Sequence, residues 1–111
     1  MTTRLLSNAD AFAHKSAHYH EEQISRTARC LKAIAHSKRL AIVCLLMDGP
    51  LTVGTIREAL GTSQPNISQH LQILANRGIV VAERNANRVY YGIADPRLRT
   101  ILGSLREVYC S

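Results

Sequence analysis

Two groups of side chains in this 111-residue chain are of types that can do chemistry. The first is Cys30, Cys44 and Cys110. Three is an odd number and no two are spaced as Cys-x-x-Cys, which argues against a secreted disulfide scaffold. In a reducing compartment they stay thiols until something oxidises them, so each is either an inert filler or a redox reporter. The second group is His14, His18 and His20, in HKSAHYHEE, with Glu21 and Glu22 alongside. On a helix His14 and His18 stand one turn apart, a spacing that clamps zinc or nickel once a further ligand arrives from elsewhere. An ordinary solvated helix face accounts for the same residues. What an enzyme needs is missing: there is no Gly-rich phosphate loop, no carboxylate pair in a credible cleft and no nucleophile–base–acid set. The chain is therefore read as a non-enzyme with no cofactor.

The elements that position these groups follow from apolar spacing. From Asp10 to Ala35 there is no Gly or Pro, and Ala13, Ala17, Ile24, Ala28, Leu31 and Ile34 recur at helical intervals, which predicts one long helix or two abutting ones. Ser37 is the expected N-cap of a second helix, Lys38 to Met47, closed by Asp48-Gly49-Pro50. Thr52 caps a short third, Val53 to Leu60, ended by Gly61. Ser63 opens a fourth, with Pro65 in the first turn where its missing N–H costs nothing, and Asn76-Arg77-Gly78 stops it. Ile79-Val80-Val81 and Val89-Tyr90-Tyr91 then read as a hairpin around the polar turn Asn85-Ala86-Asn87. Asp95-Pro96 starts a last helix with Leu98, Ile101, Leu102, Leu105 and Val108 as its apolar positions.

This order, α-α-α-α-β-β-α, places a short helix, a tight Gly61-Thr62 turn and a polar-faced helix before a basic hairpin. The expected class is mainly α with a β-hairpin wing, a winged helix-turn-helix. Residues 1–8 are read as a flexible N-terminus and 9–111 as one DNA-binding and dimerisation domain. The outer helices are more apolar than a small core requires, which predicts a homodimer through them. The longest apolar run, Leu40 to Met47, is far short of the roughly 20 residues of a spanning helix. With no secretory signal pattern at the start, a cytoplasmic protein without a membrane partner is expected.

Fourteen Lys and Arg against eight Asp and Glu give a formal charge of +6, which favours a polyanionic partner. One face of the fourth helix is apolar (Ile67, Leu71, Leu74), while Gln64, Asn66, Ser68 and Gln69 offer short polar side chains suited to base edges. Ser63 and the helix N-terminus, with Arg77, would meet phosphate. Arg84 and Arg88, with Asn85 and Asn87, form a wing tip placed to meet phosphate or enter the minor groove. His70 is read as a packing or phosphate-contacting residue. Double-stranded operator DNA is thus the expected partner. A solvated helix face and a soluble hairpin form the competing account, which predicts no salt-dependent DNA affinity.

The stretch Ser68-Gln69-His70-Leu71, Leu74, Arg77-Gly78-Ile79-Val80 and Arg88-Val89-Tyr90-Tyr91 resembles the ArsR/SmtB family of bacterial winged-helix repressors, as does Ala35-His36-Ser37-Lys38-Arg39-Leu40. The resemblance covers roughly residues 28 to 110 and implies a DNA-binding repressor. Two metal-site patterns of that family are missing: LTVGTIREAL has no Cys or His, and DPRLRTILGSLREVYCS has no His. What remains, Cys44 in the second helix and Cys110 at the end of the last, is similar to the persulfide- and redox-responsive branch, in which those two positions are linked through sulfur. The resemblance thus implies reactive sulfur species as inducers, with Cys44 and Cys110 as sensor; Cys30 has no counterpart. Core filler is the alternative for Cys44, and a metal-responsive repressor using the histidine cluster is the alternative for the whole. Each sulfur added to a link extends its reach by about 2 Å, so a pair set too far apart for a disulfide would select polysulfide.

Overall fold

A computed structural model describes residues 20–110, the side chains of 109 and 110 excepted. Five helices and one two-stranded sheet lie among the described residues: α1 (Glu21–Ile34), α2 (Ser37–Leu46), α3 (Val53–Leu60), α4 (Gln64–Asn76), β1 (Val80–Asn85), β2 (Arg88–Ile93) and α5 (Pro96–Cys110). The expected order and the winged helix-turn-helix class are both present.

One core holds these elements. Ile42, Val43 and Leu46 of α2 meet Ile56 of α3, Ile67, Leu71 and Leu74 of α4, and Leu102 of α5, with Ile79 and Val80 entering from the hairpin. On α4 the buried positions recur every three to four residues, so one stripe faces inward and the polar remainder faces out.

The helix ends obey local chemistry with one correction. Thr52 caps α3, its Oγ1 accepting the Thr55 N–H at 3.2 Å. Asp95 accepts the Arg97 N–H at 2.9 Å at the start of α5, and the Arg97 guanidinium pairs with the same carboxylate. The hydrogen bonds from Arg97 push the Asp95 carboxyl down to about 2. For α2 the cap is His36 and not Ser37. His36 has extended backbone, its carbonyl accepts the Leu40 N–H at 2.8 Å, and its Nδ1 accepts the Lys38 N–H at 3.2 Å. A ring nitrogen thus takes the place of the hydroxyl that stands one residue later. His20 is likewise extended and precedes α1, so helix does not run unbroken through that position.

The hairpin is antiparallel, with Val80 opposite Ile93 and Asn85 opposite Arg88. Its turn is therefore Ala86-Asn87, shorter than the three residues expected. Leu51 adds an isolated bridge to Tyr91, with paired bonds of 2.9 and 2.8 Å, and this ties the base of the wing to the segment before α3.

Ala86 has φ 58 and Asn87 is not positive, the sign pattern of a type II′ turn, where Gly is preferred. Alanine there costs about 1 kcal/mol, of which a glycine's extra unfolded-state entropy returns roughly half. Ala86→Gly is expected to raise the thermal midpoint by about 2–4 °C in calorimetry. A lowered midpoint would contradict this account of the turn.

Candidate nucleic-acid interface

The turn between α3 and α4 sets the direction of the exposed helix face. Gly61 ends α3 at φ 64, and its N–H reaches the Arg57 carbonyl at 2.8 Å. A side chain here would have to adopt the left-handed region that favours glycine. Ser63 then accepts the Asn66 N–H on its Oγ at 3.3 Å and starts α4, with Pro65 in the first turn.

Gln64, Ser68 and Gln69 are exposed on α4. Gln69 stands opposite Ile67, Leu71 and Leu74, Ser68 lies on the flank and Gln64 in the exposed first turn, all three available to a base edge. Asn66 is half-buried, and its Nδ2 donates to the Thr62 Oγ1 at 2.8 Å, so this side chain stabilises the turn. Gln72 and Asn76, absent from the expected set, extend the exposed face and are joined by a 3.0 Å bond. Helical spacing from Gln69 and Gln72 was the signal that could have found them.

His70 lies off that face. It is half-buried against His36, with ring centroids 4.8 Å apart and planes tilted by 48°. Its Nδ1 is buried and has no hydrogen-bond partner among the described residues. Burial, then the charges of His36, Arg39 and Lys38, hold its pKa below the ordinary value. Because the native state resists this protonation more than the unfolded chain does, stability is full above about pH 6.5 and falls as pH drops below it. His70→Gln is expected to flatten that fall, measured as urea midpoints at pH 7.5 and 5.5. An equal fall in both proteins would remove His70 as its source.

At the wing tip Arg84, Asn85, Asn87 and Arg88 are all exposed. Register decides their geometry. Arg84 is opposite Val89 and Asn85 opposite Arg88, and successive strand residues alternate faces. Arg84 and Arg88 therefore project from opposite faces of the ribbon and straddle whatever the tip enters. Arg77, at the C-cap of α4, is exposed as well.

The two cysteines of the expected sensor are unequally described. Cys44 is half-buried on α2. Cys110 ends α5, and its side chain lies outside the described residues. Cys30, half-buried on α1, donates its thiol to the Arg77 carbonyl at 3.4 Å. His14, His18 and residues 1–8 also lie outside the described residues, while His20 is exposed. Among the described residues no group of three or more His, Cys, Asp or Glu side chains could hold a metal ion. No described helix is long and apolar enough to cross a membrane.

Residues 36–81 match a family described as "Bacterial regulatory protein, arsR family". The chain is 31% identical over 91 residues to the biofilm growth-associated repressor of Xylella fastidiosa, covering 82% of this chain and 80% of that protein. It is 33% identical over 90 residues to the transcriptional activator HlyU of Vibrio cholerae, covering 81% and 83%. The structure of reduced HlyU superposes with a TM-score of 0.75 over 82% of this chain and 96% of that one. A homodimeric winged helix-turn-helix DNA-binding domain from Mycobacterium bovis gives 0.73 at 33% identity, covering 78% and 81%.

Proposed function

Because the chain belongs to the ArsR family of bacterial regulatory proteins, whose members are transcriptional regulators and not enzymes, we propose that it is a homodimeric repressor of double-stranded operator DNA. Its operator affinity is switched when reactive sulfur species link Cys44 to Cys110. The observation that carries the DNA reading is the joint exposure of the α4 polar face and the Arg84/Arg88 wing tip on one small basic domain.

Two apolar stripes support the dimer. Ile24 and Leu31 on α1 are 56% and 60% exposed, and Ile101, Leu105 and Val108 on α5 are 57%, 45% and 70% exposed. Each set repeats at one helical face, and burial against a second copy would return about 25 cal/mol per Å² of apolar surface. A two-fold dimer also presents two α4 helices, which must sit about 34–36 Å apart to enter successive major grooves. Residues 9–111 act together in this scheme as one unit, in the cytoplasm where the DNA is.

The sulfur switch is supported by the family resemblance of the two cysteine positions and by a relative whose structure is described as reduced. In addition, α5 runs against the end of α2: a Cβ at Gly103 would lie 3.7 Å from Met47 Cε. One thiolate attacks a sulfane sulfur of a polysulfide, whose S–S bond breaks to release the shorter polysulfide. The protein hydropolysulfide so formed, Cys–S–S–SH, is attacked at its middle sulfur by the second thiolate, hydrosulfide leaves, and the link closes with one sulfur retained between the two cysteines. Two thiols are oxidised and one sulfane sulfur is reduced to sulfide. Tying α5 to α2 changes the angle between protomers and breaks the groove register.

Intact-mass analysis after polysulfide and, separately, after peroxide, with promoter-DNA binding followed in parallel, tests the switch. The expected result is a Cys44–Cys110 link retaining whole sulfur atoms, with DNA released. An unmodified mass, or DNA binding indifferent to the modification, would overturn it.

A further inference from the structure

Four cations converge on one hollow where α1, α2 and the end of α4 meet. Arg29 and Lys32 come from α1, Arg39 from α2 and Arg77 from the C-cap of α4, over an apolar floor of Ala33 and Ile73; the volume is about 180 Å³. None of the four side chains has a hydrogen bond or an ion pair with another described residue. Arg39 Nε is buried and lacks a hydrogen-bond partner among the described residues. The Cys30 thiol beside Arg29 donates to the Arg77 carbonyl at 3.4 Å, a contact that joins α1 to the end of α4.

Like charges facing one cavity repel, and a guanidinium N–H withdrawn from water without an acceptor is costly. Both deficits call for the same ligand, a compact oxyanion with several acceptor oxygens. Phosphate fits best, because its tetrahedral oxygens accept from several guanidinium forks and an ammonium at once. The hollow also has a meaningful position. Ile73 and Arg77 lie on the flank of α4 beside the exposed Gln69, Gln72 and Asn76, so it opens next to the face read as base-contacting.

We propose that this hollow is a phosphate-binding pocket, and that it seats a backbone phosphate of the DNA whose groove α4 enters. The second clause rests on the reading of α4 as the groove-facing helix. Arg29, Lys32 and Arg39 thereby become positioning contacts that fix the register of the domain on the duplex without reading sequence.

The test compares wild type with Arg29→Gln/Lys32→Gln, both exposed positions, and with Arg39→Lys, which keeps the charge and removes the fork. The wing variant Arg84→Gln/Arg88→Gln serves as reference. Affinity for a fluorescent random-sequence duplex of about 30 base pairs, roughly three helical turns, is followed across salt concentrations. The Arg29/Lys32 variant is expected to bind severalfold more weakly, with a log–log salt slope shallower by about 0.9 for each phosphate it no longer neutralises. A wild-type slope in that variant, alongside a reduced slope in the wing variant, overturns the DNA phosphate. If wild type binds no duplex, the groove-facing reading of α4 fails by itself, and titration with inorganic phosphate at constant ionic strength decides the pocket. Saturable shifts of the Arg29, Arg39 and Arg77 Nε–H resonances, absent from the Arg29/Lys32 variant, then assign it to free phosphate; no saturable shift overturns the pocket altogether.

Discussion

Serine at position 44, or at 110, is expected to abolish the loss of DNA affinity that polysulfide causes in the wild type, an all-or-none effect. A hydroxyl is close in size to a thiol but forms no S–S bond, so either substitution leaves the second cysteine with nothing to close on. The cost to the fold at position 44 is modest, because Cys44 is half-buried and the exchange adds a polar group worth about 1–3 kcal/mol if left without a partner. Cys30→Ser separates linkage from general thiol chemistry. Its thiol is engaged with the Arg77 carbonyl at the end of α4, so that variant is expected to respond as the wild type does. Anisotropy of a labelled promoter duplex before and after polysulfide reads all three. Release of DNA from the Cys44→Ser protein at the wild-type polysulfide concentration would refute the link.

Leu71→Ala is expected to cost about 2–5 kcal/mol, a large part of the roughly 5–15 kcal/mol that holds a domain of this size together. Leu71 is fully buried between Ile67 and Leu74, in the core shared with α2 and α3. Removing it leaves a void at the point where the exposed face of α4 gets its orientation. Gln69→Ala, two residues away and exposed, is expected to stay within about 0.5 kcal/mol of wild type. Urea unfolding of both variants measures the contrast. A Leu71→Ala cost below that of Gln69→Ala would mean that α4 is not held by this stripe.

The helix-turn-helix was legible because its signals are local. Thr52, Gly61, Ser63 and Pro65 each set a helix boundary through chemistry within a few residues, and the Ile67-Leu71-Leu74 spacing marks the buried side of α4. Signals that depend on distant residues were not legible. The His36 cap competes with a serine at the next position, and its ring is held by His70, far along the chain, which no local pattern reveals. The Leu51–Tyr91 bridge and the Cys30–Arg77 bond are equally long-range. The same applies within the candidate site: Asn66 is a base reader by type, yet its amide is committed to Thr62. Strand alternation put Arg84 and Arg88 on opposite faces once the register was known, and register needed the turn to be two residues long. The basic hollow gathers Arg29, Lys32, Arg39 and Arg77 from three helices, so charge counting registered the excess without its location.

The most direct test of the central claim is the affinity of the untreated wild-type protein for duplex DNA as a function of salt, with Arg84→Gln/Arg88→Gln beside it. A DNA-binding dimer predicts a log affinity that falls linearly and steeply with log salt, and a shallower line for the wing variant by about 0.9 per phosphate left unneutralised. Affinity that is absent at low salt, or that does not change with it, would contradict the DNA-binding account.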